Sequence, residues 1–230
     1  MFGKRTFAAL VAEFLGAGVL TLLVLSVQRS TIGVPFFVAA AAGLAIALMM
    51  VVLGGASRAH FNPAITIGMW TVGKISTVSG VFYVAAQLLG GWAAYGTYHY
   101  FANSSLQPIG GHYTARIMVA EAVGAGIFAF AWAAVAYQKL SPAVAASFIG
   151  VAFMLGIVTA SSASIGLLNP AVALGVRAWV WGTYVLGPVI GAVVGANLYS
   201  LLFAKSGSGP AYEVVNQAIK ASGGSTSKKK

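Results

Sequence analysis

Two copies of one triplet carry the chemistry of this chain: Asn62-Pro63-Ala64 in "RAHFNPAITIGMW" and Asn169-Pro170-Ala171 in "SIGLLNPAVALGVRAW". An asparagine side chain offers one carbonyl acceptor and two amide N–H donors. At a helix N-cap the carbonyl satisfies a free backbone N–H, and a following proline adds no amide hydrogen to the first turn. The amide donors are then left for another partner. Taken singly, each Asn-Pro reads as an ordinary helix start. As a pair, they could present donors to the oxygen of a small neutral solute while the positive helix ends behind them repel a cation.

The elements that must position these asparagines are membrane spans. Of 230 residues, 59% are hydrophobic and 7% charged, whereas a soluble domain carries about 25% charged residues. Apolar runs near 7–27, 35–54, 80–102, 116–137, 142–160 and 182–204 approach the roughly 20 residues a bilayer requires. The first run carries Glu13 and lacks a small-residue cleavage site, so it reads as a transmembrane helix and not as a signal peptide. The predicted fold class is an all-α membrane protein. The absence of cysteine excludes disulfides and thiolate metal sites.

The net charge of +10 is spread over loops and ends, with no basic face for nucleic acid. Six spans put Lys4, Arg5, Lys139, Lys205, Lys220 and Lys228–Lys230 on one side, with Arg29 and Arg116 opposite. The positive-inside rule then predicts both termini in the cytoplasm, with the chain in a plasma or inner cell membrane. Residues 205–230, rich in Gly and Ser and ending in lysines, read as a flexible basic cytoplasmic tail. Such a tail chiefly solubilises, and each lysine near an anionic lipid surface adds about 1 kcal/mol.

An internal repeat organises the spans. "VAEFLGAG" at 11–18 returns as "VAEAVGAG" at 119–126, an offset of 108, and the triplets return at an offset of 107. The channel-like domain 1–204 therefore divides into halves of about 7–102 and 116–204, each with three spans. Three is odd, so the second half enters the membrane from the opposite side, as an inverted repeat. From Asn62 to Lys74, and from Asn169 to Trp181, is 12 residues, a helix of roughly 18 Å or half a bilayer. Two re-entrant half-helices would then meet at the midplane, N-terminus to N-terminus. Ala86, Gly90 and Ala94, like Gly187, Gly191 and Gly195, recur every fourth residue and read as close-packing faces.

With "AEFLGAG", "AHFNPAITIG", "AAQLLGG", "AEAVGAG", "LLNPAVALG" and "GPVIGA", the chain resembles the aquaporin, or major intrinsic protein, family to about residue 204. The resemblance implies six transmembrane helices plus two half-helices, a pore in each subunit and a homotetramer in the lipid bilayer. It implies passage of water and small neutral solutes such as glycerol-like polyols or urea, with no cofactor. It also implies that Glu13 and Glu121 brace the re-entrant loops and that His60 flanks the pore. Family spacing puts a second constriction at Ala42, Ile157, Gly166 and Val172, where water-selective and glycerol-selective members both carry an arginine at the last position. Here that position is Val172, so the expected filter is wide and apolar.

Arg177 lies eight residues past Asn169, roughly 12 Å outward along a helix, and is expected as a solvated arginine near the outer mouth, a side chain folded back into the vestibule being the alternative. Arg58 replaces a glycine common in the family, at the cytoplasmic entry or as part of the positive-inside bias. Two other readings stay open: an ion- or proton-coupled secondary transporter, and a poorly conducting structural protein on the same fold. The first needs titratable residues facing a substrate, and the carboxylates of the spans, Glu13 and Glu121, match bracing positions. His99 and His112 flank one loop without metal-ligand spacing, and no nucleophile–base set suggests an enzyme.

Overall fold

The computed structural model describes residues 3–138, 140–178 and 180–204. The tail read from 205–230 and the loop residue Lys139 lie outside the described residues. In lipid the backbone of an apolar run has no hydrogen-bond partner but itself, and it closes as helix. In chain order these are α1 (Lys4–Gln28), α2 (Pro35–Leu53), the short α3 (Pro63–Thr71), α4 (Thr77–Ala102), α5 (Ala115–Gln138), α6 (Pro142–Ala160), the short α7 (Pro170–Gly175) and α8 (Gly187–Leu202). Among the described residues, six helices are long and apolar enough to cross a membrane, the last being Trp181–Leu202. Proline opens α2, α3, α6 and α7 at the first turn, where its missing N–H is harmless.

The last span begins irregularly. Trp181–Leu186 is a π-helical turn that runs straight into α8. Pro188 supplies no N–H for the carbonyl of Tyr184, and the turn before it widens. The apolar run at 182–204 does not by itself foretell this.

Both short helices are shorter than their 12-residue expectation. α3 has 9 residues and α7 has 6, or roughly 14 Å and 9 Å. The same device ends each. Lys74 N–H reaches back to Met69 O (2.8 Å) and Gly73 N–H to Trp70 O (3.0 Å), with Gly73 at φ 70°. Ala178 N–H reaches Ala173 O (2.9 Å) and Arg177 N–H reaches Leu174 O (3.3 Å), with Arg177 at φ 64°. Such paired bonds around a left-handed residue close a helix C-terminus.

The helices assemble in matched pairs. α1 packs along α4 and α5 along α8, while α2 crosses α6. The α2–α6 crossing is close because glycines face each other: a Cβ on Gly43 would stand 2.6 Å from Gly150 O, and one on Gly150 2.6 Å from Gly43 O. Small residues at a crossing let backbones approach within van der Waals range in lipid. α3 packs on α8 and α4, and α7 on α4 and α1, so each short helix touches the far half of the chain. Leu44, Leu48, Val51, Leu89 and Val194 point outward and exposed, an apolar exterior suited to acyl chains. By chain order, the ends of α2 and α5 share a face with the N-terminus. The α1–α2, α4–α5 and α6–α7 connections lie on the opposite, far face.

Candidate functional site

The two triplets meet in the interior and bind each other reciprocally. Asn62 Nδ2 donates to Leu168 O (3.0 Å), and Asn169 Nδ2 donates to Phe61 O (2.9 Å). Each side-chain oxygen caps its own helix: Asn62 Oδ1 accepts from Ala64 N–H (2.8 Å) and Asn169 Oδ1 from Ala171 N–H (2.9 Å). A cap of this kind is worth about 1 kcal/mol. Each amide nitrogen has two hydrogens, and the bond across the centre engages one of them. One N–H per asparagine is left for a further acceptor.

The chain before each asparagine turns through left-handed backbone. Ala59 (φ 53°) and Phe61 (φ 49°) are matched by Gly166 (φ 66°) and Leu168 (φ 54°), each 107 residues on. Such a path cannot bond its own N–H groups as a helix would, and buried N–H groups need acceptors. Two carboxylates supply them. Glu13 accepts from His60 N–H (3.0 Å) and Ser57 Oγ–H (2.8 Å) on one oxygen, and from Phe61 N–H (2.7 Å) and Gln87 Nε2–H (2.7 Å) on the other. Glu121 accepts from Leu167 N–H (3.0 Å) and Ser164 Oγ–H on one oxygen, and from Leu168 N–H (2.7 Å) on the other. Both carboxylates are fully buried.

Ser57 and Ser164 are site residues that sequence reasoning missed. Besides donating to the carboxylates, Ser57 Oγ accepts from Ala59 N–H (2.9 Å) and Ser164 Oγ from Gly166 N–H (3.3 Å). A signal was present, for the serines stand 107 residues apart, at the offset of the triplets. Glycines then make room for the turns. A Cβ on Gly16 would enter the Phe61 ring, and one on Gly124 would lie 2.7 Å from Leu168 Cδ2.

The filter candidates are partly brought together. Gly166 lies against Ile157, since a Cβ at Gly166 would stand 2.8 Å from Ile157 O and 3.1 Å from Ile157 Cγ2. Glycine here also answers a backbone demand, the left-handed φ, and not only the bulk of a filter. Ala42, Ile157 and Val172 are buried apolar residues of one interior cluster. None of the four carries a polar side chain.

His60 is buried beside the first triplet, with Nδ1 3.1 Å from Thr66 Oγ1 and its ring edge-on to Tyr83 and Trp132. Gln87 Nε2 joins Thr66 Oγ1 (2.9 Å) to Glu13, completing a polar chain. Among the described residues, no group of three His, Asp or Glu is placed to hold a metal. Arg58 is exposed, its backbone N–H 3.4 Å from Tyr83 Oη. Arg177 is exposed beyond the end of α7, away from the interior position of Val172. It is not free in solvent, for its Nη1 donates to Leu106 O (2.6 Å).

This arrangement of two capped half-helices, two loop-binding carboxylates and six spans has a clear counterpart among known proteins. Residues 3–199 match the family described as major intrinsic protein. The chain belongs to that family. Aquaporin Z of Photorhabdus laumondii subsp. laumondii is 29% identical, covering 85% of this chain and 97% of the relative. Aquaporin AqpM of Methanothermobacter thermautotrophicus is 34% identical over 70% of this chain and 74% of its own length. The fold is shared with the X-ray structure of the aquaglyceroporin from Plasmodium falciparum, with a TM-score of 0.71 at 20% identity over 94% of this chain and 99% of that one. As a major intrinsic protein with six spans, the chain is an integral multi-pass membrane channel of the kind that passes water and small solutes.

Proposed function

We propose that this chain conducts water and small uncharged solutes, glycerol-like polyols and urea among them, past Asn62 and Asn169. The observation that carries the reading is the reciprocal bonding of the two amides. Each asparagine is oriented by its cap and its cross-bond, and each keeps one N–H for a passing oxygen. A neutral solute exchanges water hydrogen bonds for these. A cation meets the same N–H donors and the positive ends of both half-helices, which repel it.

The second constriction in this reading is Ala42, Ile157, Gly166 and Val172. It has no fixed charge and little bulk, so width and apolar character decide what passes. Larger neutral solutes are therefore admitted more readily than by a filter narrowed with an arginine. A secondary-transporter reading gains nothing from the carboxylates, since Glu13 and Glu121 are occupied by loop N–H groups. The proposed assembly is a homotetramer with both termini cytoplasmic.

Osmotic swelling of proteoliposomes under water, glycerol and urea gradients tests the reading. The expected result is neutral-solute flux well above that of empty vesicles, reduced when Asn62 or Asn169 is replaced by Asp. Water flux with complete exclusion of glycerol and urea would refute the wide filter. No flux of any of the three would refute the channel.

A further inference from the structure

The far face carries a feature that the filter residues do not explain. The α4–α5 connection, residues 103–114, crosses from the α1–α4 pair to the α5–α8 pair, over the far end of the bundle. It is fastened midway. Arg177 holds it twice, through Nη1–H to Leu106 O (2.6 Å) and through its own carbonyl to Ile109 N–H (3.2 Å). Arg29, from the end of α1, donates Nη2–H to Gln107 O (2.8 Å), and Tyr184 Oη–H donates to Gly110 O (3.1 Å). Leu106 is thereby drawn inward and buried.

Arg177 occupies the position in α7 that Gly73 occupies in α3, the left-handed residue closing the helix. Glycine suits that backbone best, yet an arginine stands here. Its guanidinium lies 6.0 Å above the Tyr95 ring, which limits where the charge can go. One of its five N–H donors is spent on Leu106. No carboxylate neutralises it among the described residues: the chain has three acidic residues, and the two described ones, Glu13 and Glu121, are bound inside the loops. The result is a permanent cation, held by Leu106 and set over Tyr95, beside the connection that crosses the far end of the bundle.

We propose that Arg177 adds to the cation exclusion of the asparagine centre as a fixed charge at the far mouth, clamped there by Leu106 and Ile109. The inference rests on the channel reading above. It separates two tasks: Val172 and its neighbours set width, and Arg177 adds charge. Because Arg177 is exposed, its field on an entering ion is screened by salt, over a length of about 8 Å at 0.15 M.

The test uses full-length protein in vesicles, with urea as the neutral probe and guanidinium as a cation of similar shape. Wild type, Arg177→Lys and Arg177→Gln are compared for the ratio of guanidinium to urea flux. Arg177→Gln is expected to raise the ratio at least about threefold at low salt, and Arg177→Lys to keep it near wild type. In wild type the same ratio is expected to rise as salt is added, a readout that needs no variant. An unchanged ratio in Arg177→Gln, or a wild-type ratio indifferent to salt, overturns the proposal. Equal changes in both fluxes for Lys and Gln would leave Arg177 as a loop clamp only and overturn it as well. If wild-type vesicles pass no urea, the channel reading fails first and takes this one with it. Urea flux with no cation discrimination sinks the Arg177 proposal alone.

Discussion

The first re-entrant loop, 57–71, and the second, 164–175, follow one backbone path with different side chains behind it. Both begin with a serine bonded to a buried carboxylate, pass through two left-handed residues and end at an asparagine that caps its helix. Behind the first lie His60 and Thr66, tied through Gln87 to Glu13. The residues 107 further on, Leu167 and Ala173, are apolar and buried. The difference teaches which positions the fold dictates. Residues that satisfy buried backbone N–H groups recur in both loops, because an unmet donor costs about 1–3 kcal/mol wherever it lies. Residues that satisfy none are free to diverge, and they make the interior of the first half the more polar of the two.

The comparison is broken most severely at the carboxylates. Glu13→Leu and Glu121→Leu each strand two loop N–H groups, an expected loss of about 3 kcal/mol or more. Thermal unfolding in detergent should show both variants strongly destabilised. If only one of them is, the loops do not share a scaffold. Next come the left-handed residues after the serines. Gly166→Ala forces a Cβ into left-handed backbone and against Ile157 O, so about 2–4 kcal/mol should be lost.

A functional prediction sharpens the apolar side. Val172→Arg should cut the flux of neutral solutes larger than glycerol in vesicles at least about tenfold, equivalent to about 1.4 kcal/mol in the barrier, with a smaller effect on glycerol and water. Undiminished flux of the larger solutes would remove Val172 from the proposed constriction. The smallest effect belongs to Ala59→Gly, the counterpart of Gly166 in the first loop. Relief of the left-handed strain is offset by the greater freedom of glycine in the unfolded chain. Stability should therefore change by less than about 1 kcal/mol, and a large loss would show that the methyl of Ala59 does more than occupy its turn.

Much of this was legible in the sequence. The spans follow from apolar length, because lipid leaves helix as the only way to satisfy a lone backbone segment. The triplets and the carboxylates declare themselves by recurrence. Less was legible where a residue's purpose depends on a distant partner. Gly166 reads as a missing filter side chain, yet its left-handed φ and the closeness of Ile157 O also favour glycine there. Ser57 and Ser164 look like loop serines until Glu13 and Glu121 are brought beside them. The half-helices read as equal and 12 residues long. In fact Gly73 and Arg177 stop them at 9 and 6, and only the first has glycine to announce the stop.

By itself, the sequence determined the helical membrane class, the doubled plan, the paired asparagines and the absence of an arginine at Val172. These are properties of residue type and spacing, which local physics converts directly into helix, cap and span. Tertiary structure alone decided that the asparagines would bond across to each other's loops. It alone bound Arg177 to Leu106, 71 residues away along the chain. Hydrogen bonds between segments so far apart depend on where the bundle carries them, and no local pattern records that.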